Sequence, residues 1–261
     1  MHGETIPVNG TIAPLRNVSL MAQLVERVAG RDSRLPGMGV LYGKSGLGKS
    51  TAAIYAVNKF RAYHVQMKSV WSRKKLCTAI LGEMGVRPAG TISDMVDMIG
   101  EQLSLAKVEI EDGHGKRRRL QRPLIIDEAD FLVKKGHIEI VRDIYEASLG
   151  TVILIGEEQI EQKLRPWERV HGRVLEWTRA FAASLGDTKH LAKLYCPALQ
   201  LGDDLLAAVH DASGGSVRRI CVNLDAIREF AETTGKTRIA FADWREASRE
   251  FFTGKPPAGP R

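Results

Sequence analysis

GKSGLGKST, Gly43 to Thr51, matches G-x-x-x-x-G-K-[ST] at every fixed position. It follows the apolar run GMGVLYG (37–43), which reads as a buried strand, and precedes TAAIYAVNKFRA, which reads as a helix. Strand, glycine loop and helix in that order bring backbone N–H groups and the positive end of a helix to one point, where they attract phosphate. Gly43, Lys44, Ser45, Gly46, Leu47, Gly48, Lys49, Ser50 and Thr51 are therefore the expected nucleotide-binding residues, with ATP and Mg²⁺ as cofactors. In this pattern Lys49 neutralises the β and γ phosphates and Ser50 ligates Mg²⁺.

A second stretch, QRPLIIDEADFLV (121–133), drives an apolar strand into two adjacent carboxylates. Ligands of open α/β sheets bind at the carboxyl ends of the strands. Asp127 is placed to hold Mg²⁺, and Glu128 to polarise the attacking water. The letters Asp127-Glu128-Ala129-Asp130 are those of the DEAD-box RNA helicases. Such a helicase needs a second parallel-sheet domain, a Ser-Ala-Thr motif and an arginine-rich motif, and none is visible. Ala129 and Asp130 are given no chemical role, Asp130 only starting the next turn.

Outward from these motifs the chain alternates strands and helices. Helices are expected at 15–29, in the segment after Thr51, at 72–85 with Ser72 as cap and Gly85 as stop, at 92–106 and near 137–148. Strands are expected at 37–43, 63–68, PLIIDEA, 151–156 and 173–177. Buried strands alternating with helices imply a parallel sheet covered on both faces. After about residue 178 only helices are expected, at 180–194, 203–213, 216–233 and 241–251. The expected organisation is a flexible 1–13, an α/β nucleotide-binding core at 14–178, a helical domain at 179–251 and a disordered tail at 252–261.

Bulk properties agree. The 261 residues are 44% hydrophobic, without an apolar run near the ~20 residues that cross a bilayer and without a secretory leader. No membrane partner is expected. Three separated cysteines suit a reducing cytosol. The net charge of +7 favours polyanions, and its distribution says more than its size. RAYHVQMKSVWSRKK (61–75) holds five basic residues and no acidic one. Lys68, Trp71, Arg73, Lys74 and Lys75 are candidates to track the phosphates of double-stranded DNA. A basic helix start opposes the macrodipole, and an anionic partner relieves that. The bland alternatives are an exposed helix start and, for Trp71, a packing anchor. Lys116-Arg117-Arg118-Arg119, which follows Glu109, Glu111 and Asp112, is a second candidate, with a solvated loop as its plain reading.

From about residue 14 to 250 the chain resembles the AAA+ ATPases. The resemblance implies an α/β P-loop NTPase core with a parallel five-stranded sheet, a small helical lid, and an oligomer with ATP at subunit boundaries. Within it, IGEEQ puts Glu157 at the sensor 1 position, where Asn, Ser or Thr is more usual. RPWERVHGRVLEW resembles the segment that supplies an arginine finger, with Arg173 the first choice and Arg169 the second. GGSVRRI resembles the Gly-x-x-Arg sensor 2 motif, with Arg218 in position and Arg219 beside it. Lys49, Asp127, Glu128, Arg173 and Arg218 are thus the expected catalytic set, and Ser50 and Asp127 the metal pair.

LPGMGVLYGKSGLGKSTAA, FRAYHVQMKSVW, RPLIIDEADFLV, IYEASLGTVILIGEE and KLRPWERVHGRVLEW together are similar to the ATPase subunit of transposable bacteriophages, the phage Mu B protein group related to TnsC-type regulators. That resemblance implies an ATPase coating target DNA as a helical filament, in a bacterial cytoplasm and encoded by phage or prophage. It implies self-association, delivery of the DNA to a transposase, stimulation of transposition, and hydrolysis triggered in turn by transposase or DNA. The group carries an N-terminal helix-turn-helix before its core; only a dozen or so residues precede the core here, so DNA contact is expected from core or lid. A helicase loader, an insertion-sequence helper and a nucleotide-gated protein switch without DNA contact remain open as alternatives.

Overall fold

Met38–Tyr42 (β1) is buried along nearly its whole length, as a strand flanked on both sides must be. The computed structural model describes residues 13–111 and 117–255, which group into two compact units. The expected flexible start and the end of the expected tail, 1–12 and 256–261, lie outside the described residues, as does Lys116.

The first unit comprises Asn17–Ser45 and Lys49–Ala180. Helix α1 (Arg16–Ala29), whose first residue groups with the other unit, leads into β1, then α2 (Lys49–Phe60) and β2 (Tyr63–Gln66). Helices α3 (Arg73–Glu83) and α4 (Ile92–Leu105) follow, capped by Ser72 and Thr91 side chains that accept from Lys75 N and Asp94 N. A hairpin of β3 (Lys107–Glu111) and β4 (Arg117–Gln121) precedes β5 (Leu124–Asp127). Then come α5 (Asp130–Lys134), α6 (Ile138–Ser148), β6 (Val152–Gly156), α7 (Ile160–Leu164), α8 (Glu168–His171) and β7 (Val174–Arg179). The sheet runs β2-β5-β6-β1-β7 with every neighbouring pair parallel. This is the expected five-stranded α/β core. One face carries Val40, Val65, Ile126 and Leu154 into a continuous core with Leu76, Ile80, Ile99, Val141 and Ile144 of the covering helices.

The hairpin corrects the reading of 116–119 as a solvated loop. Its described part, Arg117–Arg119, lies in β4, and its ladder sets Glu111 opposite Arg117 and Glu109 opposite Arg119. Val108, Ile110 and Leu120 are buried beneath it. Alternating apolar and charged residues hold the ladder with one face down.

The second unit comprises Met1–Arg16, Gly46–Gly48 and Phe181–Arg261, described over 13–16, 46–48 and 181–255. It contains α9 (Leu185–Tyr195), β8 (Gln200–Leu201), α10 (Asp203–Ser213), α11 (Val217–Thr234), β9 (Arg238–Ile239) and α12 (Phe241–Glu246). The expectation of helices alone fails here, because β8 and β9 form a short parallel pair. Two helix limits also move. The first helix starts at 185, not 180, because Ser184 and Asp187 close a reciprocal capping box there. The last ends at 246, not 251, and Ser248 (φ 52°) turns the chain back. Among the described residues no helix is long and apolar enough to cross a membrane.

Candidate nucleotide site and basic edge

The loop after β1 needs its glycines. Gly46 (φ 83°) and Gly48 (φ 81°) occupy the left-handed region, where a Cβ is strained. Lys49 opens α2, and its ammonium donates to the carbonyls of Gly43 (2.7 Å) and Lys44 (2.9 Å). Burial pushes the Lys49 pKa down, and the carboxylates of Asp127, Glu128, Glu157 and Asp130 pull partly against it. A half-buried ammonium held only by carbonyls gains when phosphate oxygens replace them.

β5 carries Asp127 to the same sheet edge, 4% exposed. Its Oδ2 accepts from Ser50 Oγ at 2.8 Å, and its Oδ1 accepts from Glu128 N at 2.8 Å. The fold implies Mg²⁺ here, and the donors fit it. A buried carboxylate that accepts from one hydroxyl and one amide keeps lone pairs for a cation, and both Ser50 and Asp127 offer oxygen. Among the described residues no cluster of three or more His, Cys, Asp or Glu is placed to hold a metal ion by itself.

Glu128 is one of few non-glycine residues at positive φ, 56°. Such backbone strain concentrates at functional sites. Burial raises the Glu128 pKa, and the negative charges of Asp127 and Glu157 raise it further, against Lys49. The result is a stronger base than an ordinary glutamate.

Asp130, given no role by the sequence, joins two strand ends. Its Oδ1 accepts from Lys163 Nζ and its Oδ2 from Glu157 N, both at 2.6 Å. Glu157 thus follows β6 beside Glu128, while its exposed carboxylate lies 3.8 Å from Lys163. Phe131, Val133 and Lys134 complete a cavity of about 510 Å³ with these groups. The spacing from Asp130 to Lys163 gives no local signal, so only the fold reveals the pair.

The arginines are less gathered. Arg173 lies just before β7, where Nη2 is 3.1 Å from Glu146 Oε1 of α6 and its carbonyl accepts from Met38 N. Arg169 is exposed on the single turn α8. Among the described residues neither contacts Glu128. In the other unit Ser216 caps α11, and Arg218 stands in its first turn with its N–H donating to Gly46 O at 3.3 Å.

The basic segment leaves the same sheet edge as the carboxylate pair. β2 ends beside Asp127, and Met67 N donates to Asp127 O. Lys68, Arg73, Lys74 and Lys75 are exposed, and Val70 is 84% exposed. Trp71 is partly buried against the core, with Lys75 Nζ 5.9 Å from its ring centre. The sequence reading missed two further cations, Lys134 and Lys135, at the exposed end of α5. Lys135 Nζ donates to Trp71 O at 3.2 Å, and His137, its pKa lowered by burial, feels both Arg73 and Lys135. The run DFLVKK right after the carboxylate motif was the available signal.

A family described as AAA domain matches residues 32–164, more than half of the chain. The chain belongs to the AAA domain family. No curated protein matches the sequence. Among solved structures, this AAA protein is similar to the Aeropyrum pernix ORC2 protein in ADPNP-ADP complexes, at 14% identity and TM-score 0.62, over 88% of this chain and 66% of that one. It is similar to the Aeropyrum pernix ORC1 protein in complex with DNA, at 17% identity and TM-score 0.61, over 93% and 67%. Domain III of the Thermotoga maritima replication initiation protein DnaA matches at 19% identity and TM-score 0.54, over 87% and 88%. At these identities the likeness is one of fold. The chain spans about two thirds of the ORC2 and ORC1 chains it matches.

Proposed function

We propose that this AAA protein binds and hydrolyses ATP, oligomerises on duplex DNA without sequence preference, and presents that DNA to a transposase, stimulating transposition. The observation that carries the ATPase part is the Ser50–Asp127 contact at 2.8 Å beside a strained Glu128 of raised pKa. Ser50 and Asp127 are the residues that would hold Mg²⁺, which supplies neutralisation of phosphate charge when bound. Lys49 exchanges its loop carbonyls for phosphate oxygens. Glu128 accepts a proton from water as the water oxygen bonds to the γ phosphorus and the bond to the ADP oxygen breaks. Asp130 keeps the ends of β5 and β6 in register through Glu157 N and Lys163.

Residues 14–178 serve in this reading as the nucleotide core and 179–251 as its lid, with Arg218 the lid arginine. Arg173, once released from Glu146, is the first choice for a finger reaching a neighbouring subunit's ATP. The DNA face is Lys68, Arg73, Lys74 and Lys75 together with Lys134 and Lys135, and Trp71 anchors it by packing. The named transposition role rests on the resemblance to the phage Mu B group.

Glu128→Gln tests the core of this reading. It is expected to bind ATP with unchanged affinity, to slow hydrolysis at least about 100-fold, and to leave long-lived DNA complexes. Unchanged turnover removes Glu128 from its role. Electron microscopy with duplex DNA and a slowly hydrolysed ATP analogue should show filaments. Monomers without retained DNA would leave the protein-switch alternative, and stimulation of a replicative helicase rather than a transposase would identify a loader.

A further inference from the structure

Behind the turn at Ser248 the chain does not leave the helical unit. The Phe251 ring stacks on Trp244, 5.3 Å between centres at 8°, and lies parallel to Phe241 at 6.2 Å. The Arg249 guanidinium sits over Phe230 and Trp244 at 5.2 and 5.7 Å. Next comes a contact of a different kind. Asn223 of α11 is 1% exposed, and its side-chain amide grips one backbone position from both sides. Oδ1 accepts from Phe252 N at 2.7 Å, while Nδ2 donates to Phe252 O at 3.2 Å and to Ser213 Oγ at 3.0 Å. Two residues on, Gly254 (φ 79°) passes so near Arg219 that a Cβ there would stand 2.6 Å from Nε.

These contacts descend α11 from Phe230 through Asn223 to Arg219, towards the helix start at Ser216 and Val217. That first turn itself bears on the glycine loop tip, which belongs to the same compact unit. Arg218 N donates to Gly46 O at 3.3 Å, Ser216 Oγ to the same oxygen at 3.4 Å, and Val217 packs at Gly48. A chain of direct contacts therefore runs from the strap to the loop whose N–H groups face phosphate.

We propose that residues 248–254 are a strap that fixes the first turn of α11 against Gly46, and that Asn223 is its positioning residue, setting the affinity for ATP. This rests on the reading of Gly43–Thr51 as the ATP loop. A buried amide that spends its oxygen and one N–H on a single distant backbone position is costly to break, since each partner is left unpaired. The aromatic stack holds the strap to the unit; the amide fixes how far along α11 it reaches.

Because the grip uses only the backbone of residue 252, two substitutions there separate it from packing. Phe252→Ala trims a 44% exposed side chain and keeps the N–H. Phe252→Pro removes the N–H that Asn223 accepts. With the full chain and steady-state ATPase kinetics, Phe252→Pro and Asn223→Asp are expected to raise KM for ATP about fivefold over Phe252→Ala, with kcat at saturating ATP retained. A purely structural role would instead lower kcat through lost active protein and leave KM alone. Equal KM values for Phe252→Pro and Phe252→Ala overturn the strap. A wild-type protein that hydrolyses no ATP overturns the underlying reading instead.

Discussion

Two basic stretches of similar composition end in opposite circumstances. Arg117–Arg119 is three arginines in a row, yet Glu109 and Glu111 stand directly across the ladder from two of them. Lys68 to Lys75 has no facing carboxylate strand. Among the described residues none of Lys68, Arg73, Lys74 and Lys75 enters an ion pair, and the end of α5 brings Lys135 to the same place. The first stretch faces carboxylates across the ladder of a hairpin, though among the described residues no ion pair within 4 Å joins them; the second is an accumulation of like charge. Like charges gathered on rigid elements at the sheet edge that carries Asp127 have a use only when an anion arrives. A basic run acquires meaning from what faces it.

The largest effect that sharpens this contrast belongs to Lys74→Glu with Lys75→Glu. In the presence of ATP it should weaken binding to a random-sequence duplex by about 100-fold at moderate salt, and flatten the salt dependence by roughly two phosphate contacts. Fluorescence anisotropy over a salt series measures both. ATP affinity should be unchanged, since neither lysine lies in the glycine loop. Retained DNA binding by this variant would move the DNA face elsewhere.

A smaller loss is expected from Lys134→Ala with Lys135→Ala, about 10-fold in the same assay. Lys135 has a second duty, its bond to Trp71 O, so Lys135→Ala alone should also loosen the segment between β2 and α3. Amide exchange around Lys68–Trp71 would show this, and Lys134→Ala would not produce it. No change at either position confines the face to the stretch after β2.

Much of this was legible in the chain because the decisive signals are short. The glycine loop, the strand ending in Asp127-Glu128 and the Ser72 cap each fit within a dozen residues, where backbone geometry and side-chain chemistry act together. The apolar strands announced the parallel sheet for the same reason. The hairpin was legible in principle, since KVEIE alternates with period two, but its charged residues fit a solvated cluster equally well until the opposite strand is known. Ser184 and Asp187 likewise spell a capping box at the true start of α9. Other features were beyond reach. Asp130 meets Lys163, and Asn223 meets Phe252, across spans of sequence that only the folded chain closes. The two-residue pair of β8 and β9 is a product of packing, not of strand-forming residues.

The smallest effect tests the comparison from its quiet side. Arg117→Glu with Arg119→Glu places four carboxylates in two facing pairs on the hairpin, where opposite charges stood. Cross-strand like charges cost stability, here about 1 kcal/mol in total, read as a modest drop in melting temperature. Adding Glu109→Arg and Glu111→Arg restores opposite pairing with the signs exchanged, and should restore the melting temperature. Through all of this the affinity for duplex DNA should stay within about twofold of wild type, because the reversed pair leaves the sheet edge untouched. If DNA affinity instead fell as far as with the lysine pair, the carboxylates across the ladder would not be silencing those arginines. The distinction between paired and gathered charge would then fail, and the hairpin would join the DNA face.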